Sequence, residues 1–194
     1  MRPYVSIDLE TTGLDPSYCQ ILEMGAVIDD WESPIEKLPT FHCYVVHDRI
    51  VGQPYALQMN QKILYDIAEM KTPNNFIEPE NVGIHFYRWL TLNNISFVQR
   101  NVLPAGKNFD AFDRQFLNRL PNFSDDIVFT HRSLDPGMLY FDPYTDDGPP
   151  SMQTCLERAG LEPTVTHRAV NDAMDVVKLI RYKFLPNTNI KWNE

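Results

Sequence analysis

The chain has 194 residues, 43% of them hydrophobic and 12% aromatic, enough for one well-packed core and marginal for two, so a single domain over 1–194 is expected. A formal net charge of -9 without a basic tail excludes a protein that coats nucleic acid through bulk electrostatics, because such binding neutralises phosphates with Lys and Arg. It leaves open a protein that grips a few nucleotides through bound metal, since divalent cations reverse the local charge.

Residues 4–9 read as a first strand, followed by a turn carrying Gly13 and Asp15-Pro16. Residues 20–30 and 41–46 suit two more strands, which gives an antiparallel meander. Residues 54–67 read as a short helix in a longer connection, and the Pro- and Asn-rich 70–81 as a loop. Then come a helix over 82–94, a strand within 97–106, a helix over 110–120, a strand within 126–135 and a surface loop over 142–151. Two helices, about 151–159 and 168–185, close the series. A meander followed by alternating helices and strands predicts an α/β fold, a mixed central sheet with helices on both faces and sites near the strand ends. Cys19, Cys43 and Cys155 are far apart and lack CxxC spacing, which points to a reducing, cytoplasmic compartment and away from disulfides or zinc. No signal-type apolar core and no membrane-spanning stretch is evident, so no membrane association is expected.

The stretch YVSIDLETTGLD sets Asp8 and Glu10 at the end of an apolar strand. Side chains two apart share a face roughly 6–7 Å apart, a spacing that can bracket a metal ion. An EF-hand reading fails, because Cys19 stands at the twelfth position and Pro16 interrupts. On a helix over 110–120 the apolar direction is set by Phe109, Phe112, Phe116, Leu117 and Leu120. Asp113 lies about 40° from it and faces inward, whereas Asp110 lies about 100° away, where helix capping explains it. In the last helix Ala169, Val170, Ala173, Met174, Val176, Val177, Ile180 and Phe184 form the expected buried stripe. Asp172 sits on its border, in the first turn, where the helix dipole favours negative charge. Asp175 points away, is expected to be solvated, and can pair with Lys178. His167 is five residues before Asp172 and belongs on the preceding loop.

Taken together, SIDLETTGL, NFDAFDRQFL and HRAVNDAMD resemble the three motifs of the DEDD-type 3′-to-5′ exonucleases, with the H-x-x-x-x-D spacing of the DEDDh (DnaQ-like) branch. That branch holds proofreading subunits, oligoribonuclease and phage-type exonucleases, and the resemblance runs over nearly the whole chain. It implies a ribonuclease-H-like sheet of about five strands, antiparallel meander plus parallel strands. It also implies release of nucleoside 5′-monophosphates from single-stranded DNA or RNA 3′ ends, in the cytoplasm of a bacterial or phage-infected cell, with a polymerase or replication partner. Two divalent ions, Mg2+ or Mn2+, would activate water and stabilise charge on the phosphate and the leaving oxygen. By resemblance Asp8 would bridge both, Glu10 and Asp172 would hold the nucleophile-side ion, Asp113 the second, and His167 would be the general base. The backbone of Thr11, Thr12 and Gly13 would lie against the terminal nucleotide, with Leu14 wedged under its base. Met59, Asn60 and Asn108 are further substrate-contact candidates, Asn108 within a Lys107-Asn108 pair where proofreading relatives often carry His-Asn. The competing expectations are a ribonuclease-H-like endonuclease and a non-catalytic nucleic-acid- or polymerase-binding module.

Overall fold

The computed structural model describes residues 1–70, 75–95, 101–164 and 166–185. Strand β1 (Tyr4–Thr11) pairs antiparallel with β2 (Ile21–Asp29), which pairs antiparallel with β3 (Thr40–Val45), giving the expected meander. Two short parallel strands extend it, β4 (Phe76–Ile77) beside β3 and β6 (Pro104–Ala105) beside β1, for the order β4-β3-β2-β1-β6. This is the mixed five-stranded sheet expected from the sequence. Pro104 brings no N–H to a ladder, which suits the edge position of β6.

Strand alternation divides the core. Val5, Ile7 and Leu9 face helices α3 (Val82–Leu92), α4 (Asp113–Leu117) and α5 (Phe123–Asp126), packing with Phe86, Leu90, Phe116, Leu117 and Phe123. Tyr4 and Val27 face the opposite side, against Ala173, Val176, Val177 and Ile180 of α8 (Ala169–Phe184). Asp8 and Glu10, in phase with Tyr4, therefore point toward the α8 layer.

Several boundaries differ from the sequence expectation. The helix expected over 54–67 is two, α1 (Pro54–Met59) and α2 (Gln61–Glu69), broken at Asn60. The side chain of Asn60 turns inward to donate to the Thr11 carbonyl at 2.9 Å, and that tie diverts the chain. The loop expected over 70–81 contains β4, two apolar residues too short to show a period, while 71–74 lie outside the described residues. The strand expected within 97–106 is two, β5 (Asn101–Val102) and β6, with 96–100 outside the described residues. β5 pairs with β7 (Val128–Phe129) in a separate two-stranded sheet. The helix expected over 110–120 shrinks to α4, because the residues before it form turns with Asn108 at φ +59°. A short α6 (Pro136–Leu139) precedes α7 (Met152–Ala159), which Ser151 caps through the Thr154 N–H at 3.1 Å.

Helix α8 crosses the sheet over β2. Its buried face includes Leu179 and Arg181, whereas Phe184 is exposed and Val170 and Met174 are half-buried, a rotation from the expected stripe. The cause is polar: Arg181 donates to Asp29 from Nε at 3.0 Å and from Nη2, and Tyr4 donates its hydroxyl to the same carboxylate at 2.7 Å. Asp175 is likewise buried rather than solvated, though its expected partner Lys178 does hold it at 2.5 Å.

Candidate active site

The carboxylates converge at the C-terminal end of β1. Glu10 and Asp172 each place an oxygen, and His167 a ring nitrogen, within 4.8 Å of one another. Asp8 precedes Glu10 on the same face of the strand, with Asp113 as its strongest charged neighbour, so the four acids form one group drawn from three chain segments. Asp113 is 3% exposed and reaches the group from the first residue of α4. Asp172 accepts the Thr166 N–H at 3.3 Å and its hydroxyl at 3.2 Å. His167 lies on the loop before α8, as expected, exposed and at φ +50°.

Gly25 makes this approach possible. It stands opposite Asp8 in the β1–β2 register, and a Cβ there would meet the Ala169 carbonyl carbon and the Val170 nitrogen at 2.2 Å. Without a side chain at Gly25 the first turn of α8 lies directly on the sheet, delivering Asp172 to β1.

The group is electrostatically frustrated without a cation. Burial raises the Asp8 carboxyl well above the usual range, and Asp113, Asp172, Glu10 and Glu23 push it further. Burial, then Asp172 and Glu23, raise Glu10 to about 7, against a hydrogen bond from Asn60 and the charge of Arg168. Asp113 is raised by burial to about 8, and burial raises Asp172 too. Crowded hard oxygen donors whose ionised forms are mutually destabilised are a donor set suited to divalent cations such as magnesium.

Beside the acids runs a cleft with an apolar wall. Leu14 is 75% and Tyr55 78% exposed, and Met59 stands one helical turn from Tyr55 on α1. Thr11, Gly13 and Asn60 also line it. Two of the substrate-contact candidates do not. Thr12 is buried, donating its hydroxyl to the Val51 carbonyl at 2.6 Å and accepting the Gln20 N–H at 2.8 Å. Asn108 accepts from Lys107 Nζ at 2.9 Å and borders a separate shallow pocket with His131 and Arg132. Asp110 is no cap: it holds Arg114 Nε at 2.7 Å and the Ser133 hydroxyl at 2.7 Å, ahead of the helix.

The family model described as Exonuclease, RNase_T, matches residues 5–180, spanning all three acidic segments. The chain belongs to the RNase_T exonuclease family. Solved structures agree on the fold. The nuclease domain of 3′hExo, a DEDDh family member, bound to rAMP, superimposes with a TM-score of 0.67 at 14% identity, over 96% of this chain and 93% of that one. Exonuclease I of E. coli, in complex with a 5cy-dT13 oligonucleotide, gives 0.61 at 16% identity over 96% of this chain. Its zinc-bound complex with single-stranded DNA gives 0.62 at 15% over the same share. The chain spans about 41% of the exonuclease I chain. No curated protein sequence matches it.

Within this exonuclease fold the cleft also contains Gln53, Tyr55 and Met152, which sequence reading passed over, and Lys107 and Phe112, which it named without assigning them to the site. Gln53 accepts the Leu14 N–H at 3.1 Å and donates to the Tyr18 hydroxyl at 3.1 Å, fixing the turn that presents Leu14. Leu14 and Met59 were expected on this wall; for Tyr55 the sequence signal was its four-residue spacing from Met59, which a helix buried on that side would share.

Proposed function

We propose that this chain is a metal-dependent 3′-to-5′ exonuclease that removes nucleoside 5′-monophosphates one at a time from single-stranded DNA or RNA. The observation that carries the reading is the gathering of Asp8, Glu10, Asp113 and Asp172 at one strand end, with His167 at the mouth of an apolar-walled cleft. Asp8, Glu10, Asp113 and Asp172 would hold two Mg2+ or Mn2+ ions. When bound, the metal supplies a nucleophile at neutral pH and balances charge on the phosphate and the leaving 3′ oxygen.

The remaining steps belong to the protein. Leu14, Tyr55 and Met59 offer an apolar surface on which an unpaired base stacks without sequence readout. Gly13 lets the turn that presents Leu14 pack against its own supports, since a Cβ there would meet Cys19 Sγ at 2.6 Å and Gln53 Cδ at 2.8 Å. Lys107 brings a positive charge to the phosphate path. His167, facing solvent beside Glu10 and Asp172, accepts a proton from the attacking water. The exonuclease I complex with the SSB C-terminus, a property of that protein, is the precedent for extending the proposal to a replication partner.

The test is digestion of a 5′-labelled single-stranded oligomer with Mg2+ or Mn2+. A ladder shortening by single nucleotides from the 3′ end is expected, in cytoplasm-like reducing buffer, and lost on chelation. Internal cuts of fixed position would instead mark a ribonuclease-H-like endonuclease, and binding without cleavage a non-catalytic module. Parallel DNA and RNA oligomers report the sugar preference.

A further inference from the structure

His167 occupies a backbone conformation, φ +50°, that a non-glycine residue holds only where its surroundings over-determine it. Its side chain is exposed, so packing of the imidazole does not supply that constraint. The neighbours do. On one side Thr166 is tied to Asp172 through both its N–H and its hydroxyl. On the other, the Arg168 guanidinium meets Glu23 at 3.1 Å and Asp66 at 3.3 Å, and donates to the Tyr44 hydroxyl while lying over the Tyr44 ring. Glu23, 1% exposed, also accepts the Ala169 N–H at 3.3 Å and holds His42 Nε2 at 2.6 Å. One buried carboxylate thus grips both the side chain and the backbone of the two residues that follow His167.

We infer that Glu23 and Arg168 are positioning residues for His167: their clamp fixes where the chain leaves the sheet and therefore where the imidazole meets the attacking water. The inference rests on the proposed role of His167 as general base. Glu23 pairs across from Glu10 on the sheet, so the same carboxylate references the imidazole to the strand that carries the acids. An Arg suits this post because its rigid planar fork presents donors from separate nitrogens, Nη1 to Asp66 and Nη2 to Tyr44 and Glu23, whereas an ammonium's three donors radiate from a single atom. General-base catalysis is worth roughly 10²–10⁴-fold, and a displacement of about 1 Å can forfeit about 10² of it.

The test is a double-mutant cycle on kcat with His167→Ala and Arg168→Ala. Arg168→Ala alone is expected to lower kcat roughly 10- to 100-fold with KM for the oligonucleotide nearly unchanged, and Arg168→Lys to recover part of the loss. In the His167→Ala background the same substitution is expected to cost less than about threefold, because there is no base left to misplace. Calorimetric Mn2+ affinity is expected to stay within about threefold of the wild-type value. Tyr44→Phe, which removes one hydrogen bond of the clamp and leaves Glu23 paired, is run through the same cycle and decides the matter if Arg168→Ala does not fold. Losses that multiply, or Mn2+ binding weakened tenfold or more, overturn the inference while the exonuclease reading stands. A fully active His167→Ala protein overturns the inference together with the general-base role on which it rests, whereas a wild-type protein that cleaves nothing with Mg2+ or Mn2+ overturns the exonuclease reading itself.

Discussion

Glu10 and Asp113 titrate near neutrality for a reason that also sets how the metal-free chain responds to pH. Burial and neighbouring acids raise Glu10 from 4.5 to about 7, and burial raises Asp113 from 3.8 to about 8. Across that window the folded chain binds more protons than the unfolded one, so its stability falls as pH rises. Thermal scans in chelator are expected to give a midpoint that climbs as pH is lowered from 8 to 5.5. Added Mg2+ is expected to stabilise most at pH 8, where the ligands are ionised, and least at 5.5. A chelated protein that grows more stable toward pH 8 would contradict the frustrated-acid description. The two aspartates of the second motif separate more sharply. Asp113→Ala is expected to reduce turnover by at least about 10²-fold, the scale of losing a group that acts in the transition state. Asp110→Ala removes a half-exposed pair with Arg114, worth about 0–1 kcal/mol, and is expected to leave turnover within about threefold. Equal losses in a primer-digestion assay would remove the distinction. The inward direction of Asp113 was legible because Phe116 and Leu117 fix the buried face of α4, although Phe109, which the sequence reading placed in phase with them, lies in the turns before it. The burial of Asp175 was not, since it depends on how far α8 is rolled by the Arg181–Asp29 pair, a contact 152 residues apart.

Helix α8 and strand β2 are matched in length by their own geometry. Glu23 grips the residues at the start of α8 and Asp29 grips Arg181 near its end. Thirteen residues of helix from 168 to 181 rise about 20 Å at 1.5 Å each, and six residues of strand from 23 to 29 span about 20 Å at 3.3 Å each. The two ion pairs are therefore in register, and the helix is strapped to the sheet at both ends with Gly25 between them. Removing the distal strap by Arg181→Met leaves the fully buried Asp29 without its cation and is expected to destabilise by about 3–5 kcal/mol in urea unfolding. A loss under about 1 kcal/mol would mean the pair behaves like a surface bridge. Gly25→Ala strikes the proximal end, where the clash is with backbone. It is expected to lift the first turn of α8 and lower turnover by more than about tenfold, with less effect on far-ultraviolet circular dichroism, because only Asp172 and His167 move. The meander and α8 were readable because their elements are long, six to nine residues for the three strands and sixteen for the helix, with strongly apolar strand runs and a helical stripe that a local window contains. β5, β6 and β7 fall inside the strands expected within 97–106 and 126–135, but their two-residue bounds, like the existence of β4, follow from pairing partners that no local window contains.

At the scale of the molecule, a chain of net charge -9 that acts on a polyanion, as proposed, must meet it against an unfavourable overall field. Among the described residues lining the cleft, Lys107 is the one that carries a fixed positive charge. Single-stranded binding driven by lysines and arginines weakens with salt at a slope near −0.7 per phosphate neutralised, so one or two such contacts give a slope between about −0.7 and −1.4. Raising salt from about 50 to 200 mM should then weaken binding only about three- to sevenfold, where six contacts would weaken it several hundredfold. On the proposed reading the attraction would come from cations held by Asp8, Glu10, Asp113 and Asp172, whose charge would offset the repulsion between these acids and the scissile phosphate. Fluorescence anisotropy of a labelled oligomer with His167→Ala protein, which keeps every carboxylate, measures both effects. Binding is expected to be nearly flat in salt when Mn2+ is present and to collapse when the ion is chelated. A steep salt slope that survives chelation would place the nucleic acid on exposed basic residues outside the cleft, such as Arg132, and would detach the acidic group from substrate binding altogether.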